Sequence, residues 1–250
     1  MNQPIYFISD VHFYLKDNET EQKKYEKISR LFDEIMAKKA SLFIVGDFFD
    51  FWFEYQTVIS RSFFRILCKL RQVTEAGCEV CYIGGNHDFW LYGFVKNDLG
   101  IKVYYQPIET EIDGKKFYIA HGDGLDPGDK GYLFLKKVLR NPVFIKLFAL
   151  IPPAVAFSVA KFVSGTSRKY DKRTPALDQK NREMLKHFAE EKFRAGFDFV
   201  VLGHYHLPEE YHQKDKTYLN CGDWLHHFTY GKYDGRGLKL LWFDDQNRET

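Results

Sequence analysis

The stretch Ile5-Tyr6-Phe7-Ile8-Ser9-Asp10-Val11-His12 decides how the rest of the chain is read. Ile5 to Ser9 is a short apolar run of strand length. It ends in a carboxylate and an imidazole two residues apart. The same arrangement recurs downstream. Ser41–Val45 runs into Gly46-Asp47-Phe48-Phe49-Asp50, and Glu79–Ile83 runs through Gly84 into Gly85-Asn86-His87-Asp88. Lys116–Ala120 ends at His121-Gly122-Asp123, and Phe197–Leu202 at Gly203-His204-Tyr205-His206. Each end alone has an ordinary explanation: an Asp closing a strand, an Asn in a turn that tolerates unusual φ, a satisfied core histidine. Those explanations do not predict a series of such ends in order. The series points to metal-assisted phosphoester hydrolysis.

Between these runs the chain alternates. A helix is expected from about Glu21 to Lys39, with Tyr25, Ile28, Leu31, Phe32, Ile35 and Met36 on one face. A second is expected over Ser60–Ala76, stopped by Gly77. Strand–helix–strand alternation argues for an α/β core, whose ligands collect at the carboxyl ends of the strands. Strands then follow at Lys102–Tyr105, Glu109–Ile112 and Lys116–Ala120, with Asp113-Gly114 as a hairpin turn. From Leu125 to Arg194 the pattern is helical. After Phe197–Leu202, strands are expected near Thr217–Asn220, Phe228–Tyr233 and Leu238–Phe243, with turns at Lys214-Asp215 and Asp234-Gly235. The expected architecture is α/β: two packed sheets flanked by helices and interrupted by a helical cap. Residues 1–124 and 195–250 would form the core and 125–194 the insertion.

Bulk properties narrow the function. A chain of 250 residues is one large domain, or a domain with an insertion. A formal net charge of +2 gives no reason to expect nucleic acid as a partner. The four cysteines are Cys68, Cys78, Cys81 and Cys221. Cys78 and Cys81 form a C-x-x-C without the second pair that a zinc site needs, so all four read as structural thiols suited to a reducing cytoplasm. Met1-Asn2-Gln3-Pro4 shows no basic segment followed by an apolar one, so no secretory signal is expected. Aromatic content of 18% implies a Phe-rich core or apolar surface for a greasy ligand.

The strand-end residues are the right types for two ions side by side. Such ions sit roughly 3.5–4 Å apart and clamp the attacking and leaving oxygens of a displacement. Asp47 is the candidate bridge. In extended chain, Asp10 and His12 at i, i+2 would point to one side and serve one ion, and His204 and His206 would repeat that geometry. Asn86 adds a neutral carbonyl oxygen and His121 another imidazole. Mixed imidazole and carboxylate donors suit Mn²⁺, Fe or Zn²⁺ better than Ca²⁺. Asp50, Asp88 and Asp123 follow ligand positions closely and are expected to orient a ligand histidine or His87.

With these motifs in place, the chain resembles the calcineurin-like metallophosphoesterase superfamily, in matching order over residues 5–245. The resemblance implies a two-sheet metallophosphoesterase sandwich with helices outside and a dinuclear site often filled by Mn²⁺. It implies that Asp10, His12, Asp47 and His206 hold one ion, and Asp47, Asn86, His121 and His204 the other. It places His87 against the scissile phosphate, stabilising charge or protonating the leaving group, with Asp88 orienting it. Within the superfamily the chain looks most like the UDP-2,3-diacylglucosamine pyrophosphatases of lipid A synthesis. That likeness rests on His121-Gly122-Asp123-Gly124-Leu125-Asp126-Pro127-Gly128-Asp129, Leu139-Arg140-Asn141-Pro142, Phe148-Ala149-Leu150-Ile151-Pro152 and the stretch 164–168. It implies a lipid-linked sugar nucleotide as substrate, cleaved to UMP and a lipid 1-phosphate sugar. One position departs: those enzymes commonly carry Arg after the metal-binding Asn, where this chain has His87. Arg suits bidentate phosphate contact, whereas His suits general acid work.

The insertion contains Val143-Phe144-Ile145-Lys146-Leu147-Phe148-Ala149-Leu150-Ile151, then Pro152-Pro153, then a second apolar run to Val163. The proline pair breaks it into halves too short to span a bilayer. Two short helices are expected, either an ordinary helical hairpin on the core or a cap whose apolar inner face accepts acyl chains. Lys136, Lys137, Arg140, Lys161, Arg168, Lys169, Lys172 and Arg173 flank the run, which fits a lipid phosphate or peripheral contact with the inner membrane surface. Expected substrate contacts are Asn86, His87 and His204 in the core, with Asp129, Ser167, Arg168 and Lys172 in the insertion. Asp129 matches a substrate position of the resembled family by its spacing from His121.

Overall fold

A computed structural model describes residues 3–15, 18–159 and 174–243. Strand β1 (Ile5–Ile8) is buried along its whole length. Alternate side chains leave its opposite faces. Tyr6 and Ile8 pack toward helices on one side, and Ile5 and Phe7 toward a second sheet on the other. A strand buried on both faces needs a continuous apolar run, which explains why these segments read without polar alternation. β1 pairs in parallel with β2 (Ser41–Ile44), which pairs in parallel with β3 (Val80–Ile83), and β4 (Lys102–Tyr104) follows. On the other side of β1 lies β10 (Thr229–Tyr233), antiparallel to it, and then β11 (Leu238–Trp242), antiparallel to β10. The second sheet runs β5 (Ile108–Ile112), β6 (Lys115–Ile119), β7 (Phe199–Leu202), β9 (Lys216–Asn220), β8 (Glu209–Gln213), and its β6, β7 and β9 are mutually parallel.

The two sheets face each other through Phe7, Phe43, Ile83, Phe117, Phe199, Val201 and Leu219. Helices α1 (Glu19–Lys38) and α2 (Phe64–Glu75) cover the outer face of the first sheet with Ile28, Leu31, Phe32, Ile35, Leu67 and Leu70. Asn18 caps α1, its side-chain oxygen accepting from the Glu21 N–H at 3.0 Å. The hairpin turn at Asp113-Gly114 has both residues at positive φ, the conformation that a two-residue hairpin loop demands.

The segment expected as one insertion over 125–194 divides in two. Helices α3 (Lys130–Leu139), α4 (Pro142–Phe148) and α5 (Pro153–Val159) make up its first part, with α4 and α5 bent 113° at the proline pair. No single helix among the described residues is long and apolar enough to cross a membrane. Helix α6 (Pro175–Arg194) instead buries Leu185, Ala189 and Phe193 against Tyr118, Val200 and Tyr218, and so forms the outer layer of the second sheet. Strand β8 has no counterpart in the sequence reading. Its Glu209-Glu210-Tyr211-His212-Gln213 is a polar edge strand, and an edge exposed to water carries no apolar signal.

Candidate metal centre

The site lies where the parallel strands of both sheets end. β1 delivers Asp10 and His12, β2 delivers Asp47, and β3 delivers Asn86 and His87. β6 delivers His121, and β7 delivers His204 and His206. The loops do not continue the strands in extended form. Asp10, His12, Asp47, His204 and His206 all have left-handed backbones, with φ of 53°, 47°, 52°, 69° and 52°. This corrects the expectation that i, i+2 residues share a side because the chain is extended. Asp10 and His12 do converge, Asp10 Oδ1 lying 3.6 Å from His12 Nε2. His204 and His206 diverge: His206 joins Asp10 and His12, whereas His204 joins Asp47 and His121.

Cross-loop hydrogen bonds fix the left-handed turns. The His12 N–H donates to the Asp47 carbonyl at 3.0 Å, and the His204 N–H to Asp10 Oδ2 at 2.7 Å. The His87 N–H donates to Asp47 Oδ1 at 2.9 Å. Ser9 Oγ donates to Asp10 Oδ2 at 2.7 Å, leaving Oδ1 for the cluster. Glycines make the space. A Cβ on Gly85 would strike the Asp47 carboxylate, and one on Gly203 would strike Ser9 and Asp10. Gly46 has φ +85°, and a Cβ there would strike the His121 ring.

The donor atoms fit divalent cations. Asp10 Oδ1 and His12 Nε2 are buried with no hydrogen-bond partner, a costly arrangement unless something else ligates them. Asp47 Oδ2 lies 3.8 Å from His12 Nε2 and 3.3 Å from His121 Nε2, and His206 Nε2 lies 3.4 Å from Asp10 Oδ1. Two atoms bound to one ion at about 2.1 Å sit about 3.0–3.5 Å apart at ordinary coordination angles. The donor atoms thus lie close to the spacing of atoms that share an ion. Asn86 Oδ1 lies 3.2 Å from His121 Nε2. Every metal ligand expected from sequence therefore reaches the cluster, and Asp47 stands between its halves.

The electrostatics agree. Burial would raise the Asp47 carboxyl, but His121, His87 and His12 hold it well below the usual carboxylate range. Burial would lower His12; the facing Asp10 and Asp50 carboxylates lift it instead to about 9. His121 likewise rises to about 10 against the effect of burial, chiefly through Asp47, while burial and the nearby His121 push His204 down to about 4. Protons and divalent ions compete for these nitrogens.

Of the surrounding carboxylates, Asp50 faces a candidate ligand histidine as expected, whereas Asp88 and Asp123 take other roles. Asp88 does not orient His87. Its fully buried carboxylate accepts from the N–H groups of Asp47 (3.1 Å), Phe48 (2.7 Å), Phe49 (3.2 Å) and Gly85 (2.9 Å), and from the Tyr82 hydroxyl. It ties the Asp47 loop to the Asn86 loop. His87 is oriented by the Asp50 carbonyl, 2.8 Å from Nδ1. The Asp50 carboxylate faces His12 Nδ1 at 3.7 Å. Asp123 clamps the cap, accepting from Lys136 Nζ at 2.7 Å, Arg140 Nη2 at 2.9 Å and the Tyr132 hydroxyl at 3.0 Å. Asp129 is exposed and caps α3 through the Tyr132 N–H at 2.9 Å. Ser167, Arg168 and Lys172 lie outside the described residues.

One strand end escaped the sequence reading. β9 ends in Asn220-Cys221-Gly222-Asp223, and Asp223 is fully buried with Oδ2 3.6 Å from His206 Nδ1. Its signal is an apolar strand followed by Gly-Asp, the same signal as at Gly46-Asp47.

Two packed sheets, helices outside and two joined Asp/His clusters at the strand ends define a metal-dependent phosphoesterase. The sequence model of the calcineurin-like phosphoesterases matches residues 3–208, and the chain belongs to that family. Curated relatives align over nearly the whole length. The UDP-2,3-diacylglucosamine hydrolase of Porphyromonas gingivalis is 30% identical, covering 98% of this chain and 99% of its own. The enzyme of that name from Photorhabdus laumondii is 28% identical, covering 95% and 98%. That of Haemophilus ducreyi is 27% identical, covering 94% and 98%.

Proposed function

We propose that this chain hydrolyses the pyrophosphate of UDP-2,3-diacylglucosamine, releasing UMP and a lipid 1-phosphate sugar. The observation that carries this reading is the pairing of a two-ion cluster with an apolar cap beside it, in a chain similar end to end to hydrolases of that substrate. The cap keeps large apolar side chains in water: Leu150 is 78% exposed, Phe134 70% and Val143 65%. Clusters of this kind on a folded chain mark a partner or a greasy ligand. An apolar pocket lined by Phe51, Phe53, Ile59 and Phe157 opens between cap and core. Phe148 seals its neighbourhood, its ring 4.9 Å from Phe53 and 5.4 Å from Trp90. Acyl chains would lie along the exposed apolar side chains of helices α3, α4 and α5, while Lys137 and Lys146 suit an anionic membrane face that presents the substrate.

Asp10, His12, Asp47 and His206 would hold one ion, and Asp47, Asn86, His121 and His204 the other. Mn²⁺ is the proposed metal, with Fe and Zn²⁺ served by the same donors. Bound there, the pair supplies Lewis-acid polarisation of the phosphoryl oxygens and a water of lowered pKa. The chain does the rest. Asp88 fixes the spacing of the Asp47 and Asn86 loops through its backbone bonds. The Asp50 carbonyl can only accept, so His87 carries its proton on Nδ1 and turns Nε2 to the reacting phosphate. When the imidazole is protonated, Nε2 donates to the oxygen that leaves with the second phosphate. Water adds to one phosphorus, the bridging P–O bond breaks, and two monophosphates result.

The test is Mn²⁺-dependent release of UMP from UDP-2,3-diacylglucosamine, with a soluble nucleotide diester run alongside. The expected result is UMP release that falls as the acyl chains are shortened. Equal turnover of the diester and the lipid would discard the lipid substrate while leaving the two-ion chemistry in place.

A further inference from the structure

The strand end that the sequence reading passed over has a specific task. β9 lies in parallel register beside β7, with Leu202 opposite Asn220, so residues 221–227 emerge next to His204–His206. Asp223 sits in this loop, fully buried. Its two oxygens are used differently. Oδ1 accepts three backbone N–H groups, those of Leu225 at 2.8 Å, His226 at 2.7 Å and His227 at 3.2 Å. Oδ2 faces two imidazoles, His227 Nδ1 at 2.7 Å and His206 Nδ1 at 3.6 Å. The next residue reinforces the alignment, since the Trp224 N–H donates to the Asp10 carbonyl at 3.2 Å. One short loop therefore touches both the backbone of Asp10 and the outer nitrogen of His206, while Asp10 Oδ1 and His206 Nε2 meet on the inner side at 3.4 Å.

We infer that Asp223 is a positioning residue that selects the metal-binding tautomer of His206. An ionised carboxylate accepts hydrogen bonds and donates none, so the nitrogen turned toward Oδ2 carries the proton. With Nδ1 protonated, neutral His206 has its lone pair on Nε2, the atom beside Asp10 and His12. A carboxylate behind a ligand imidazole also raises its basicity. The loop's three backbone bonds all fall on Oδ1, and within the loop Oδ2 meets only the His227 side chain. His227, bonded to the same Oδ2, shares the acceptor from the solvent side.

The inference rests on the two-ion reading, and the experiment separates the two. Mn²⁺ binding is measured by calorimetry on wild-type protein, Asp223→Asn and His227→Ala, with side-chain ¹⁵N spectra of His206 recorded in the metal-free and Zn²⁺-loaded states. Asparagine keeps the Oδ1 acceptor for the loop and replaces Oδ2 by an NH₂ donor. His206 must then offer Nδ1 as acceptor and carry its proton on Nε2. The expected result is one Mn²⁺ weakened about 10–100-fold and the other unchanged, with the His206 proton moved to Nε2. His227→Ala leaves Oδ2 to His206 and should bind Mn²⁺ at least as tightly as wild type. Wild-type affinity for both ions in Asp223→Asn would overturn the inference. So would an Nε2–H tautomer of His206 in the wild-type protein, a reading that does not depend on the variant folding. A wild-type chain that takes up no Mn²⁺ would instead overturn the two-ion reading itself.

Discussion

Asp47→Ala is expected to abolish hydrolysis and to empty or weaken both ion positions together. Asp47 is the residue that the two halves of the cluster share. It groups with His121 and His204 on one side and with His12 and His87 on the other. Losing one well-placed electrostatic contact in a reaction site costs about 10²–10³ in turnover. Asp47 serves both ions, so the loss should exceed the upper end of that range. Its backbone contacts, from its own N–H to Asp88 and from the His12 N–H to its carbonyl, do not involve the side chain and survive the change. The variant should therefore fold, with a far-UV spectrum like that of wild type. Metal analysis after dialysis against Mn²⁺ decides the matter. Full occupancy of both positions in Asp47→Ala would remove it from the bridge.

His87→Ala is expected to separate chemistry from metal binding. His87 reaches the cluster edge, its ring centroid 4.8 Å from that of His12. Two bonds hold it: its backbone N–H donates to the Asp47 carboxylate at Oδ1, and its ring meets the Asp50 carbonyl. Alanine keeps the first of these and so keeps the Asp47 carboxylate oriented. Turnover should fall about 10²–10⁴-fold, the usual worth of a positioned proton donor, while both ions remain bound. A substrate whose leaving group needs no proton should lose much less. Loss of an ion in this variant would show that His87 is a ligand and overturn its assignment as the acid.

The residues proposed as ligands were legible in sequence because each follows a short parallel strand that is buried toward its carboxyl end. Burial on both faces leaves an apolar run with a polar stop. What escaped had other signatures. β8 is an edge strand whose Glu, His and Gln side chains alternate without an apolar face. Asp88 and Asp223 look like loop carboxylates until the backbone N–H groups converging on them are seen, and those come from residues up to 41 positions away. Left-handed φ at Asp10 or His206 leaves no composition signal in residues other than glycine. α6 was placed with the cap because helical spacing alone does not say which layer a helix covers.

The left-handed backbones at five of the proposed ligand positions carry a cost in stability. A left-handed backbone costs an L-residue about 1–2 kcal/mol, and glycine almost nothing. In ordinary helix or strand positions alanine is the more stabilising of the two, but at Asp10, His12, Asp47, His204 and His206 the order should invert. Asp47→Gly should thus melt a few degrees above Asp47→Ala, about 2–4 °C per kcal/mol for a chain of this size; the opposite order in a thermal melt would disprove the strain. The hydrolytic centre is then a standing concession of stability to activity.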